Sequence, residues 1–209
     1  MPFSSSIARH YDWLASVYES RWPAYNEVQI KWVLDHWPHM DKKAAVLDLG
    51  CGTGLALARI REKFPDVDLT GVDVSAGMLK RAKNRLPSAT YLEGNIEDSG
   101  LVSCLPQGDV VLSLSVLHHL LDADRHLQLL DRLTKPGGTV FLSDFAREGL
   151  AMNVGDMIFR WTQPLHKTSW THSALLHKIE NIFPRGIHAR AILRPNAFWR
   201  IQIFAIWKS

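Results

Sequence analysis

Between residues 45 and 145, short apolar runs alternate with stretches at helical spacing. No other feature restricts the fold of this chain as much. Ala45–Leu49, Asp68–Asp73, Thr90–Gly94, Asp109–Leu114 and Thr139–Phe145 read as strands. Leu55–Phe64, Ala76–Leu86 and Asp122–Leu133 read as helices. The first two stop before Pro65 and Pro87. The third has acidic residues in its first turn and Leu127, Leu130 and Leu133 at helical spacing. Lys-Pro-Gly-Gly at 135–138 reads as a turn. Runs such as Val110–Leu114 fit strands covered on both faces. Right-handed crossovers then predict a doubly wound α/β fold that takes ligands at the carboxyl ends of its strands.

The flanks differ from this core. Residues 8–37 read as one or two helices separated at Pro23. Ala151–Trp170 is irregular, and Ser173–Phe183 reads as a helix. Ile187–Leu193 and Trp199–Trp207 flank Arg-Pro-Asn-Ala as a hairpin, which adds at least one antiparallel strand. The expected organisation is one domain in three parts: a helical lid (1–40), a core (41–150), and an acceptor-side segment with the last helix and hairpin (151–209). A length of 209 residues, 46% of them apolar, suits that size. None of the eight tryptophans falls between 41 and 160, so specialisation is expected at the two ends.

The net charge of +3 divides into −3 before residue 151 and +6 over the last 59 residues. Arg185, Arg190, Arg194, Arg200 and Lys208 are placed to meet phosphates, anionic headgroups or an anionic acceptor. Two cysteines, Cys51 and Cys104, are too few for a disulfide framework, so both are expected reduced and the protein cytoplasmic. No leader pattern and no run of about 18 apolar residues stands in the sequence. His166, His172 and His177 lack Cys, Asp or Glu at a ligand spacing, so no metal is expected. Gly-x-Ser-x-Gly and Walker loops are missing too, which argues against hydrolase and NTPase readings.

The first strand runs into Asp48-Leu49-Gly50-Cys51-Gly52-Thr53-Gly54, and a helix follows. Glycines there let the backbone approach a ligand, and the helix offers its unpaired N–H groups. The G-x-G-x-G spacing differs from a dinucleotide fingerprint, and Asp48 would repel a pyrophosphate. A ligand with positive charge and a nucleoside but no phosphate fits: S-adenosylmethionine. Asp73 at the end of the second strand suits ribose hydroxyls. Val74, Met78 and Ile96 suit an adenine face, and the Asn95 amide suits its edge.

These residues resemble a family. Val-Leu-Asp-Leu-Gly-Cys-Gly-Thr-Gly (46–54), Gly-Val-Asp-Val-Ser (71–75), Gly-Asn-Ile-Glu-Asp (94–98), the stretch Asp109–Leu120 and Lys-Pro-Gly-Gly (135–138) match, in order. They are similar to the class I, Rossmann-like S-adenosylmethionine-dependent methyltransferases of the small-molecule type. The resemblance implies a seven-stranded sheet of order 3-2-1-4-5-7-6, mostly parallel, with strand 7 antiparallel and helices on both faces. It adds Cys51 and Ser115 to the cofactor-binding set. The family often has Asp where Asn95 stands, which implies weaker but retained adenine binding.

Methyl transfer needs alignment and, for a protic acceptor, removal of a proton. His118 and His119 follow the fourth strand and Asp144 ends the fifth, so a histidine and this carboxylate are expected to meet beside the methyl group. In some related O-methyltransferases a histidine of the Leu-His-His stretch and an Asp after Pro-Gly-Gly are assigned as catalytic. Tyr11-Asp12 and Val17-Tyr18-Glu19 resemble the pattern ahead of the glycine loop in ubiquinone- and menaquinone-type methyltransferases, which implies that Tyr11 and Tyr18 close over the cofactor. Trp161, His166 and Trp170 are the expected acceptor contacts. The expected function is O- or C-methylation of a small molecule (a quinone or phenol, a sugar or a secondary metabolite), with S-adenosylhomocysteine as coproduct. A tRNA-modifying enzyme and a non-catalytic cofactor-binding partner protein are the alternatives.

Overall fold

The computed structural model describes residues 3–40, 43–120, 122–147, 169–196 and 199–209. Three helices open the chain: α1 (Phe3–Leu14), α2 (Tyr18–Arg21) and α3 (Pro23–Asp35). The sequence suggests one or two helices here. Pro23 takes the first turn of α3, where its missing N–H costs nothing, and so splits the segment further. Then follow β1 (Ala45–Leu49), α4 (Leu55–Lys63), β2 (Asp68–Asp73), α5 (Ala76–Arg85), β3 (Thr90–Glu93), α6 (Ser99–Ser103) and β4 (Gly108–Leu114). A 3-10 turn at Leu117–His119, α7 (Ala123–Leu133) and β5 (Thr134–Phe145) complete the core. The last elements are α8 (His172–Ile182), β6 (Ile187–Leu193) and β7 (Ile201–Trp207).

The seven strands form one sheet of order β3-β2-β1-β4-β5-β7-β6. β1 to β5 pair in parallel, and β7 runs antiparallel to both β5 and β6. This is the order the family resemblance implies. The expected turn at 135–138 lies inside β5. The pairing of β4 with β5 steps from Gly108↔Thr134 to Val110↔Thr139, so these four residues loop out of register. Gly137, at φ +76°, keeps the loop on the sheet by donating its N–H to the Lys208 carbonyl.

Side chains alternate across the strands and divide the core in two. Val46, Val110, Leu112, Phe141 and Ile203 pack with Val33 of α3, Leu57 and Ile60 of α4 and Leu79 of α5. Leu47, Leu49, Val111, Val140, Leu142 and Phe204 pack with Leu127 and Leu130 of α7 and Leu175 and Ile179 of α8. With both faces covered, the strands read as apolar runs. Each fully buried Leu, Ile or Phe side chain here contributes about 1.5–3 kcal/mol. Asp122 caps α7 by accepting the Arg125 amide, 3.0 Å away.

Candidate active site

The chemistry gathers where the parallel strands end. Asp48 lies near the end of β1, Asp73 ends β2, Ser115 follows β4 and Asp144 lies near the end of β5. Three adjoining cavities open at this edge. The first is walled by Gly52, Asp73, Val74, Met78, Asn95 and Ile96, with Tyr11 and His119 across from them. The second lies over Asp48, Cys51 and Thr53, beneath Asn26 and Gln29 of α3. The third is walled by His10, Arg21, Trp22, Tyr25, His118, Phe145 and Trp199. Among the described residues, Tyr18 and Ser115 line all three, so the cavities meet at this pair.

Gly52, at φ +53°, has open space where a Cβ would stand, so the loop offers bare backbone to the first two cavities. Its amide donates to Asp73 Oδ2 at 2.8 Å, and the Ser75 amide donates to Asp73 Oδ1 at 2.9 Å. Gly54 differs. It caps α4 at φ +72°, and a Cβ there would stand 2.9 Å from the Ala82 Cβ. A side chain there would collide with α5, and Gly54 does not line any of the three cavities. The Cys51 thiol is buried, and burial together with the Asp48 and Asp73 charges pushes its pKa well above the usual range, so it serves as a wall and not as a nucleophile.

Asp48 is 2% exposed and faces the second cavity. Among the described residues, none donates a hydrogen bond to its carboxylate. Burial first, and the Asp73 charge second, push its pKa up to about 7. Burial likewise raises the Asp73 pKa, against the backbone amides that it accepts. A buried, undonated carboxylate beside a second one is an electrostatic demand for a cation. These residues fit S-adenosylmethionine: Asp48 suits its ammonium end, Asp73 its ribose, and Val74, Met78 and Ile96 an adenine. Asn95 lines the same wall, but its side-chain carbonyl already accepts the Glu97 amide at 3.0 Å, leaving the NH₂ as the outward polar group.

The lid is pinned from α1. Asp12 Oδ1 accepts the Ser75 hydroxyl at 2.6 Å and the Gly77 amide at 2.8 Å. Tyr11 OH lies 2.6 Å from His119 Nε2. Burial raises the Tyr11 pKa well above the usual range, which keeps it a neutral phenol. His118 and Asp144, apart by 26 positions in sequence, come together. The ring Nδ1 stands 2.9 Å from Asp144 Oδ1, and the His118 amide donates to Oδ2 at 2.9 Å. Both side chains are buried. Behind the site Gln29 Oε1 accepts from Ser115 Oγ at 3.2 Å and from Ser143 Oγ at 2.6 Å, and Tyr25 OH lies 2.9 Å from Ser115 Oγ. Ser115 is held at φ +62°, a costly conformation that this network supports.

Of the expected acceptor contacts, Trp161 and His166 lie outside the described residues. Trp170 stands elsewhere. Its ring is capped by Lys178 Nζ at 5.1 Å, and its carbonyl accepts from Gln202 Nε2 at 2.9 Å, so it packs α8 onto the sheet. Trp22 and Trp199 take the aromatic place at the third cavity. Sequence reading missed them, with Tyr25 and Gln29, and named Asp12 beside Tyr11 without giving it a role. The confinement of tryptophan to the chain ends was the available signal for the first two, and none pointed to Gln29.

A family model described as a methyltransferase domain matches residues 47–140. An uncharacterized methyltransferase of Mycobacterium tuberculosis is 33% identical over 139 residues, which cover 65% of this chain and 62% of that protein. The chain thus spans about three fifths of the length of that relative. Trans-aconitate 2-methyltransferase of Rhodopseudomonas palustris is 34% identical over 102 residues, 48% of this chain and 38% of that one. Among solved structures, the magnesium protoporphyrin IX methyltransferase of Synechocystis with bound S-adenosylhomocysteine has a TM-score of 0.68 at 17% identity, covering 89% of this chain and 84% of that one. That likeness establishes the fold. Residues 47–140 match the methyltransferase domain family model, and the seven-stranded sheet order is that of the Rossmann-like fold of class I methyltransferases.

Proposed function

We propose that the protein transfers a methyl group from S-adenosylmethionine to an oxygen, or to an adjacent acidic carbon, of a small molecule in the third cavity. The observation that carries this reading is the His118–Asp144 pair beside a cavity that meets the other two at Tyr18 and Ser115. Bound S-adenosylmethionine supplies an electrophilic methyl group on a sulfonium. The chain's own residues do the rest. Asp48 and Asp73 hold the cofactor's polar ends. Tyr11, Tyr18 and the α1 lid exclude water. Asp144 holds the His118 ring through Nδ1–H, which makes Nε2 the basic nitrogen. Nε2 takes the proton of the acceptor hydroxyl, and Asp144 stabilises the resulting imidazolium. His119 is bonded to Tyr11, and its role is to hold the lid over the junction.

The small-molecule reading is favoured over a nucleic-acid or membrane one by the distribution of charge. Arg200 and Lys208 flank opposite ends of β7, and Lys208 is committed to Asp131 at 3.3 Å. Basic residues spread this way do not form one phosphate-tracking stripe. The test is incubation of the protein and methyl-labelled S-adenosylmethionine with fractionated cell extract. Label in the polar metabolite fraction is expected. Label confined to RNA or protein overturns the acceptor reading.

A further inference from the structure

The third cavity has two unlike sides. One is a closed circuit of four rings drawn from distant parts of the chain. Trp22 contacts Tyr25 with centroids 6.1 Å apart, Tyr25 contacts Phe145 at 5.2 Å, Phe145 contacts Trp199 at 5.2 Å, and Trp199 returns to Trp22 at 5.5 Å. The His118 ring meets this circuit edge-on at Phe145, 4.8 Å between centroids. His118 therefore stands at the margin of an apolar wall whose rings are tilted 41–70° to one another, offering both faces and edges to a ligand ring. The other side carries Arg21 and His10. Among the described residues, no carboxylate pairs with the Arg21 guanidinium. Burial, reinforced by the Arg21 charge, lowers the His10 pKa, so His10 is a neutral hydrogen-bonding group beside a fixed cation. The described lining contains no Asp or Glu; Asp144 stands behind His118.

We infer that the acceptor is a hydroxylated aromatic acid whose ring lies on the Trp22–Tyr25–Phe145–Trp199 wall, whose hydroxyl meets His118, and whose carboxylate meets Arg21. This rests on the proposed methyl transfer and names the substrate class of that same site. A planar ring gains most on an aromatic surface, where offset and edge contacts add to burial. An amine acceptor would need a carboxylate here, and the described wall supplies only cationic and neutral groups. A guanidinium takes a carboxylate in a planar, two-point geometry. The transfer balances simply: the hydroxyl O–H bond breaks as its proton goes to His118 Nε2, the new O–CH₃ bond forms, and the methyl–sulfur bond electrons remain on sulfur.

The test is calorimetric binding of 4-hydroxycinnamate, its neutral amide and 3-cyclohexylpropanoate to the protein saturated with S-adenosylhomocysteine. Wild type, Arg21→Gln and His118→Asn are compared. Wild type is expected to bind the aromatic acid about fivefold tighter than the amide, a gain that shrinks in high salt because Arg21 is exposed. It should also bind it several-fold tighter than the non-planar acid. Arg21→Gln should erase the acid-over-amide preference, and His118→Asn should keep it. Equal binding of acid and amide in wild type, survival of the preference in Arg21→Gln, equal binding of the cyclohexyl acid, or binding of none of the three overturns the inference. The two readings fail separately. Full methyl transfer by His118→Asn with the Arg21 preference intact defeats the base and leaves the acceptor class. Loss of transfer in His118→Asn without any Arg21 dependence defeats only the acceptor class.

Discussion

Asp144 grips His118 twice, with one carboxylate oxygen 2.9 Å from the ring Nδ1 and the other 2.9 Å from the residue's own backbone amide. The grip fixes both the ring and the tautomer. Because the carboxylate accepts at Nδ1, the proton sits there and Nε2 is left basic. Asp144→Asn keeps the shape but offers an NH₂ to the ring, which favours the opposite tautomer. Turnover should fall by about 10²–10⁴ with S-adenosylhomocysteine affinity unchanged. Steady-state kinetics beside calorimetry checks this. An unchanged rate removes Asp144 from the mechanism.

Asp48 makes cofactor binding depend on pH. Its pKa is about 7 in the free protein, and an ammonium placed beside it pulls that value down. Binding then releases a proton below pH 7. S-adenosylhomocysteine should bind up to about tenfold tighter per pH unit from pH 5 to 7, then level off. Asp48→Asn should flatten that profile.

The same group and His126 pull folding stability in opposite directions. Asp48 binds a proton in the folded chain between pH about 4 and about 7 that it lacks when unfolded, so its contribution falls as pH rises through that window. His126 is buried beside Ser113, and burial lowers its pKa to about 4. It stays neutral when folded and charges when unfolded, so its contribution is full above the ordinary value near 6.5 and is lost as pH falls toward 4. The two slopes, each up to about 1.4 kcal/mol per pH unit, nearly cancel between pH 4.5 and 6.5. Denaturant titrations of Asp48→Asn over that range should expose a loss of stability on acidification that wild type hides.

Two glycines separated by a single loop residue, Thr53, should behave differently. Gly52→Ala puts a methyl into open space at the cavity wall, at φ +53°. It should fold with a loss of about 1–2 kcal/mol and fail to bind cofactor. Gly54→Ala meets Ala82 Cβ at 2.9 Å and its Cα at 3.1 Å as well as suffering φ +72°. It should cost about 3 kcal/mol or more in stability. Thermal melts and cofactor titrations of both variants separate the cases.

The lid should loosen without unfolding the core. Asp12→Ala removes the acceptor for Ser75 and Gly77 but leaves the sheet and its two apolar layers alone. S-adenosylhomocysteine affinity should drop about five- to tenfold, and residues 1–22 should become cleavable by limited proteolysis at an unchanged melting temperature. Undiminished affinity would separate Asp12 from the site.

The core was legible because its strands are buried on both faces. Val110–Leu114 and Ala45–Leu49 carry continuous apolar runs, and Asp48, Gly52 and Asp73 sit at fixed offsets from strand ends. The meeting of His118 with Asp144 followed from two neighbouring parallel strands ending at the same edge. What escaped reading depends on contacts between distant segments. Gln29 reaches Ser143 across 114 positions, and Trp22 reaches Trp199 because α3 packs against β7, which brings the residues just before each element together. No local period records such pairs. The Lys135–Gly138 loop carries every turn signal yet stays beside the sheet, because Gly137 and Gly138 are bonded to Lys208, just past the end of β7. Trp170 has the composition of a ligand contact, but Gln202 and Lys178 hold it as a packing residue.

The central claim is that His118 removes the acceptor's proton in a methyl transfer from S-adenosylmethionine. Label transfer from methyl-labelled S-adenosylmethionine into the polar metabolite fraction, by wild type and by His118→Asn at saturating cofactor, tests it most directly. Wild type is expected to transfer label, and the variant to lose about 10²–10⁴ in rate while binding S-adenosylhomocysteine as wild type does. Transfer by His118→Asn at the wild-type rate would contradict the claim.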